Sequence, residues 1–471
     1  MNHNILALYD FAAKQNFIYR TSKIREISGA SDLLTGIFKR LVDVYNKSHK
    51  DETVLYAIGG EDDIPFDITR FRSNENSAGE VLYDGGGNLM MVFRDKPSYI
   101  SFNKNVSEYI LKNVPTLSMI ACCVECTDDF ESDVKNLYAQ NRINKNIHPA
   151  YDLVSVIPVT QIDPMTFLPV VHKHKEKDKE LSFSVDRWIK QKAYNTDENN
   201  NLENLEGMIA VIYIDGNSMG QKLIKCSDPD YNEGVKKLRT FSVETNKSFV
   251  ETPLQRINEY IKKSKHKGFR RVIGGGDEIT FICDARIALQ LVEVYFEALK
   301  ESNIGKPEEE FNYSCAGIAV AHAKAPFTIA YEIAEAACES AKQKAHQKND
   351  NYFDFYYCHA GVTADFETLR SREQSVTKRP YQYEEAKELF GYYAEVLRKA
   401  GRSNVKALGE AAQKGEAYYS FEVERVNAYL RRKIEADKTA YSVSEDIGLI
   451  YDMAEFYDLW FAKGEKNEEN D

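Results

Sequence analysis

The feature that most restricts what this chain can fold into is an order of elements that occurs twice. In the second occurrence, Met208 to Ile214 is an unbroken apolar run, as in a buried strand, and Val250, Leu254, Ile257 and Ile261 then recur at helical spacing. Two short strands, Arg271 to Ile273 and Ile279 to Cys283, flank GGGDE, whose glycines permit the positive φ of a tight turn. A helix with Ala288, Leu291, Val292, Tyr295 and Leu299 on one face leads to a last strand, Tyr313 to Val320. The order is βαββαβ, the ferredoxin-like split unit, in which an antiparallel sheet carries its helices on one face. Upstream the order recurs. Ile5 to Tyr9 reads as a strand, Leu33 to Val44 as a helix, Val81 to Tyr83 and Leu89 to Phe93 as a hairpin around GGGN, Val106 to Leu111 as a helix and Met119 to Glu125 as a strand. Hairpin laid on hairpin sets Asn88 opposite Asp277 and Leu89 opposite Glu278, with Asp10 opposite Asp215. By this alignment the first copy keeps one carboxylate of three.

The 471 residues leave room for two or three domains, and 43% hydrophobic with 28% charged residues excludes global disorder. The fold class is α+β: two split units, at 1–150 and 206–360, separated by a polar linker or insert at 151–205 and followed by a helical domain at 361–471. That helical pattern rests on Leu389, Tyr393, Val396, Leu397, Leu408, Val423, Val426 and Leu430. The final GEKNEEND lacks apolar anchors and is expected to fray. With 61 Lys+Arg against 73 Asp+Glu the net charge is −12, which argues against attachment to nucleic acid or anionic lipid by bulk charge. The N-terminal MNHNILALYDF has no basic segment before a long apolar run, and a cytoplasmic protein is expected. Cys123 and Cys126 make a C-x-x-C without a second ligand pair at finger spacing, and MIACCVE reads as a buried strand rather than a zinc site. His172 and His174, in VVHKHKEKDK, read as part of a solvated loop.

The chemistry rests on YIDGNSMG and GGGDE. In a split sheet the end of the first strand and the turn of the hairpin are neighbours, so Asp215, Asp277 and Glu278 are expected to converge. Like charges gathered in this way call for cations. Hard oxygen ligands at a phosphate site suit two Mg2+ or Mn2+ ions, which hold the attacking and leaving oxygens of a phosphoryl transfer. Gly274, Gly275 and Gly276 let backbone amides approach a nucleotide. The bland alternative is an acidic β-turn, since Gly and Asp are ordinary turn residues.

Residues 208 to 345 resemble the catalytic palm of the large, polymerase subunit of type III CRISPR effector complexes, a distant relative of GGDEF diguanylate cyclases. The likeness is carried by YIDGNSMG, IGGGDEITFI, SCAGIAVAHAKAP and EIAEAACESAKQKA in that order. Residues 6 to 40 and DGGGNLMMVF resemble that family's first, noncatalytic palm, and RSNVKALGEAAQKG part of its C-terminal helical domain. The resemblance implies a nucleotidyl transferase that condenses ATP into a cyclic oligonucleotide second messenger in antiviral defence signalling, read by a downstream effector. It also implies roles. Asp215, Asp277 and Glu278 are the catalytic and metal-binding acids, Glu278 standing where the usual GGDD ends. Gly275, Gly276, Asn217 and Ser218 border the nucleotide, Lys342 holds the triphosphate, and Ser31, in SGAS at a helix start, touches the second nucleotide. The bland readings are a solvated helix face for Lys342 and an N-cap for Ser31.

The chain also departs from the family pattern. The first strand begins within a few residues of Met1, so no HD-type nuclease is expected ahead of it. IPVTQIDPMTFLP lacks the cysteines of the zinc element often seen between the palms, and Asn217 stands where many relatives have an acid. These departures leave both a reduced, stand-alone synthase and a subunit of an RNA-guided complex open. A second reading is an RNA-binding scaffold subunit working with other proteins, resting on the basic runs at 262–271 and 430–433; a third, less favoured, is a diguanylate cyclase.

Overall fold

The computed structural model describes residues 4–462 apart from 13, 22, 59–63, 148–160, 177–178, 195–206, 226, 359–365, 374–375 and 435–440. GEKNEEND lies outside the described residues. Two compact units divide the chain: Met1–Asp197 with Ser218–Glu251 and Val272–Asp277, and Glu198–Asn217 with Thr252–Arg271 and Glu278–Asp471. The protein is a mixed α+β chain with two sheets of the split βαββαβ kind and a helical C-terminal region.

In the first unit, β1 (Ile5–Ala12) is followed by α1 (Lys14–Ile18), α2 (Ile24–Leu34), α3 (Ile37–Ser48), β2 (Thr53–Leu55), α4 (Ile68–Ser73), β3 (Ser77–Gly85), β4 (Asn88–Phe93), α5 (Lys96–Asn113), β5 (Ser118–Glu125) and α6 (Phe130–Ile147). The sheet order is β2-β3-β4-β1-β5, with β1 antiparallel to both β4 and β5. The stretch read as one helix over Leu33 to Val44 is two, broken at Gly36 with φ +72°. Alternation along β1 sorts its side chains to two faces. Tyr9 meets Phe102 of α5 edge-on at 5.5 Å, whereas Leu6 and Leu8 join Phe130 and Leu137 of α6 in a buried core.

Where composition reads as a linker, β6 (Val170–Glu176) and β7 (Lys179–Ser184) form a hairpin leading to α7 (Val185–Ala193). The helix seats on α2 so closely that a Cβ on Gly29 would lie 1.9 Å from the Lys190 carbonyl oxygen. Beneath it, buried Arg187 bonds Glu26 at 2.9 Å and Asp163 at 3.0 Å. This corrects the loop reading of the two histidines: both lie on β6, where His172 stacks on Trp188 with ring centroids 3.4 Å apart while His174 is exposed to solvent. Aromatic stacking on one side of an otherwise charged strand outweighs the local polarity.

The first unit also takes in α8 (Met219–Lys225) and α9 (Tyr231–Asn246), although both follow the first strand of the second repeat. From α9, Arg239 donates to the carbonyls of Val81, Leu82 and Ile64, and Gly234 admits the Phe130 ring, 2.3 Å from where a Cβ would sit.

The second repeat comprises β8 (Met208–Gly216), α10 (Thr252–Lys263), β9 (Phe269–Gly275, whose residues from Val272 on are grouped with the first unit), β10 (Glu278–Asp284), α11 (Ala288–Glu301) and β11 (Ser314–His322), followed by α12 (Phe327–Ala345), β12 (Tyr352–Tyr357), α13 (Phe366–Glu373) and β13 (Tyr381–Gln382). The helical region adds α14 (Tyr383–Ala400), α15 (Arg402–Lys414), α16 (Glu416–Ile434) and α17 (Ile447–Glu455). Sheet order is β13-β12-β11-β8-β10-β9, so β11-β8-β10-β9 repeats the order β5-β1-β4-β3 of the first sheet. Helix α12 then carries the chain to β12, which extends the sheet parallel to β11. It lies against β11 where Gly317 has no side chain: a Cβ there would be 1.9 Å from the Ala334 carbonyl oxygen. The helical region is anchored from within the unit. Trp460 donates its indole N–H to the Ala285 carbonyl at 2.8 Å, and buried Arg379 pairs with Asp452 at 2.9 Å and Glu373 at 3.1 Å. Among the described residues, no helix is long and apolar enough to cross a membrane.

Candidate active site

The hairpin β9–β10 turns through Gly276 and Asp277, and Gly276 takes φ +68°, which glycine adopts without steric cost. Glu278, the first residue of β10, stands directly opposite Asp215 on β8, and Asp215 is in turn opposite Cys315 on β11. Residues paired in this way project to one face of the sheet. Tyr213, two residues before Asp215, identifies that face: its ring meets Tyr331 of α12 edge-on at 5.8 Å. From the same helix Lys342 reaches Asp215, its ammonium hydrogen-bonded to the carboxylate Oδ2, with Glu339 a further 4.0 Å neighbour. Asp215 and Lys342 are each about one-fifth exposed, 19% and 20%.

The electrostatics follow from this crowding. Burial would lower the Lys342 pKa, but the Asp215 carboxylate overcomes it and holds the ammonium above the ordinary lysine value. Burial raises the Tyr213 phenol, and the carboxylates of Glu278 and Asp215 push it the same way. In the first unit burial takes Tyr83 up to about 12, against a hydrogen bond from Ser242 and with help from the charges of Asp84 and Asp277. Asp215 and Glu278, opposite each other within the second unit, offer hard oxygen donors, and an ammonium already neutralises Asp215. Oxygen donors of this type are those that Mg2+ and Mn2+ take. Among the described residues, however, no group of three or more His, Cys, Asp or Glu is drawn together at metal-holding distance.

The remaining candidates are placed as follows. Asn217, just past β8, bonds through its backbone N–H to the Tyr313 carbonyl at 2.8 Å and through its side chain to the Asp350 carbonyl at 3.4 Å. Ser218 has φ +60°, an uncommon conformation for a residue with a side chain. Gly275 faces open space, whereas a Cβ on Gly276 would come 3.5 Å from the Cα of Gly86 within the first unit. Ser31 is not at a helix start: α2 begins at Ile24, so SGAS lies in its middle turns, and the Ser31 carbonyl accepts from Thr35 at 2.9 Å. Of the basic run at 262–271, Arg270 is 2% exposed on β9, removing it from any outward-facing phosphate surface.

The register corrects the hairpin alignment by one residue. Asp10 pairs with Asn88 as Asp215 pairs with Glu278, so Asn88 matches Glu278 and Gly87 matches Asp277. Both loops hold two residues, Gly86–Gly87 and Gly276–Asp277, and counting from the strand ends rather than from the glycine run fixes the match.

Sequence reading missed the surroundings of Asp10. This carboxylate is 1% exposed and receives Lys145 at 2.5 Å, Lys14 at 2.9 Å and the Asn141 amide at 3.2 Å. Turned to donate, the Asn88 amide adds a bond at 2.9 Å. Burial alone would raise the Asp10 pKa, yet the two lysines hold it below the usual value. One signal was available: Lys145 stands twenty residues beyond Glu125, the end of β5, and Lys342 twenty beyond His322, the end of β11.

Two split sheets in one chain, each with a lysine-capped aspartate near the end of its first strand, define a tandem palm protein. Residues 208–351 match the family model described as Cas10/Cmr2, second palm domain, and the chain resembles the large subunit of type III CRISPR effector complexes. Among solved structures, the Csm1–Csm4 cassette in complex with cA4 is similar at 12% identity and TM-score 0.56, covering 96% of this chain and 68% of that one. Csm1 in T. onnurineus is similar at 13% identity and TM-score 0.58, covering 96% and 68%. The cassette in complex with AMPPNP is similar at 14% identity and TM-score 0.51, covering 96% and 70%. At such identities the likeness is one of fold. No curated protein sequence matches the chain.

Proposed function

We propose that this protein is a metal-dependent nucleotidyl transferase that condenses ATP into a cyclic oligonucleotide second messenger for antiviral defence. The observation that carries the proposal is the opposition of Asp215 and Glu278 across β8 and β10, beside a Gly276–Asp277 turn and with a lysine cation on Asp215. The match of 208–351 to a Cas10/Cmr2 palm supports it, as do relatives solved with cA4 and AMPPNP. Those cassettes contain Csm4, and the proposal extends to a protein partner of that kind.

Mg2+ or Mn2+, held as two ions by Asp215, Asp277 and Glu278, would supply the positive charge that activates a ribose 3′-hydroxyl and steadies the departing pyrophosphate. The chain's own residues do the rest. Gly275 and Gly276 keep side chains off the backbone where the nucleotide approaches, Lys342 binds the triphosphate, and Asn217 with Ser218 orient ribose or phosphate. Ser31, from α2, is proposed to touch the second nucleotide.

The test is incubation with each radiolabelled NTP plus Mg2+ or Mn2+, with products identified by mass spectrometry. Asp277→Ala is expected to lower the rate by about 100-fold or more, the scale of losing one strong electrostatic stabiliser. Product formed by that variant at the parent rate would overturn the catalytic reading in favour of a scaffold.

A further inference from the structure

Helix α12 brings Lys342 to Asp215, yet the face it lays on the sheet is made of small side chains. Ala334, Ala337, Cys338, Ala341 and Ala345 are buried there, and Gly317 beneath has no side chain. Helices hold their place by fitting ridges of side chains into grooves, and a face this smooth fixes the position of α12 along its axis only weakly. The Cys338 thiol reaches the Cys315 carbonyl at 3.1 Å, but a thiol is a weak donor. A buried carboxylate supplies a stronger tie. Asp354, on β12 opposite Gly317 of β11, is 0% exposed, and its Oδ2 accepts the Ser340 hydroxyl of α12 at 2.8 Å. Its Oδ1 accepts the Phe355 N–H at 2.7 Å and a guanidinium N–H of Arg370 from α13. Arg370 bonds Glu373 at 3.3 Å, Glu373 meets buried Arg379 at 3.1 Å, and Arg379 pairs with Asp452 of α17 at 2.9 Å. The carboxylate that grips Ser340 is thus itself held by the strand and by the helical region. Burying a charge adds little stability over an apolar residue, and its best-attested use is to fix register.

We propose that Ser340 and Asp354 are positioning residues for Lys342: their hydrogen bond sets where α12 stands along its axis, and with it the point at which the lysine presents its ammonium to a triphosphate. The proposal rests on the triphosphate role given to Lys342 above. Residues two apart lie about 200° around a helix, so the Ser340 grip and the Lys342 ammonium are on opposite sides of α12. Sheet order agrees, since Asp354 on β12 and Asp215 on β8 flank β11, the strand on which α12 lies. A misplacement of about 1 Å caused far from the chemistry can cost about 100-fold. A bond that holds the helix to within that distance therefore acts on nucleotide affinity without touching the nucleotide.

The test is AMPPNP titration of the full chain by calorimetry at constant Mg2+, with a thermal scan to show that each variant is folded. Ser340→Ala is expected to weaken AMPPNP binding about fivefold, the scale of one hydrogen bond. Ser340→Thr keeps the hydroxyl and should bind as the parent does. Lys342→Met should bind weakly, and adding Ser340→Ala to it should cost nothing further, because the group being positioned is gone. Parent affinity in Ser340→Ala overturns the proposal while the role of Lys342 stands. An equal loss from Ser340→Ala in the Lys342→Met background overturns it too, since a general loosening of the fold acts with or without the lysine. Parent affinity in Lys342→Met overturns the triphosphate reading itself, and the positioning with it.

Discussion

Replacing Gly317 by Ala should loosen the second unit. The added Cβ would lie 1.9 Å from the Ala334 carbonyl oxygen and 2.4 Å from the Cys338 nitrogen, both backbone atoms of α12. A carbon and a carbonyl oxygen approach comfortably to about 3.3 Å, so the helix has to retreat by roughly 1.4 Å. No rotamer change relieves a clash with backbone. A gap of 0.5 to 1 Å already forfeits about a quarter to a half of the dispersion between packed surfaces, and the retreating face carries Tyr331, Ala334, Ala337, Cys338 and Ala341, all buried. Overpacking costs about 1–3 kcal/mol, and backbone contact places this case near 3 kcal/mol. For a unit of this size that lowers Tm by about 6–12 °C. Because α12 also holds Lys342, nucleotide affinity should fall as well. The assay is a thermal scan by circular dichroism, with Gly275→Ala as the control: its Cβ meets open space and its Tm should stay within about 2 °C of the parent. A Gly317→Ala protein melting with the parent would refute the argument that α12 rests on a glycine.

Removing Arg187 by Arg187→Met leaves Glu26 and Asp163 buried without their cation, and an expected loss of about 3–5 kcal/mol should appear in chemical denaturation. Acid unfolding should begin in the first unit. Burial raises Asp10 and Asp163, but lysines in one case, and backbone N–H groups with Arg187 in the other, bring both below the ordinary value. A depressed folded pKa contributes stability above the unfolded value near 4, and that stability is lost as pH falls through the lower folded pKa. Asp10→Asn should therefore flatten the decline of Tm with acid below about pH 4. The Asn88→Ala change removes one donor from Asp10 while both lysines remain, and should lower stability by about 1 kcal/mol in the same scan.

Much of the local geometry around the candidate site is legible in the sequence. Apolar runs that end in Asp10 and Asp215 identify first strands, and glycine-rich turns between apolar segments identify the hairpins; both follow from local chemistry. The one-residue error in matching Asn88 arose because three consecutive glycines do not say which of them belong to the turn. Cross-strand hydrogen bonding decides that, by placing Asn88 opposite Asp10. The hairpin at 170–184 was hidden by its polar composition, since its fixed partners, Trp188 and the buried Arg187 network, lie elsewhere in the chain.

Local sequence carries the βαββαβ order of each repeat, the glycine-turn hairpin within it and the aspartates of the first strands, because strand, turn and helix preferences are set within a few residues. Only tertiary structure decided where those elements went. Helix α9 follows the first strand of the second repeat yet packs in the first unit, because Arg239 satisfies carbonyls of Val81 and Leu82. Only the packed helices brought Lys145 to Asp10 and Lys342 to Asp215, across 135 and 127 positions of chain. A lysine on a helix reads locally as a solvated face; it becomes a counter-ion when packing removes water from the carboxylate it meets.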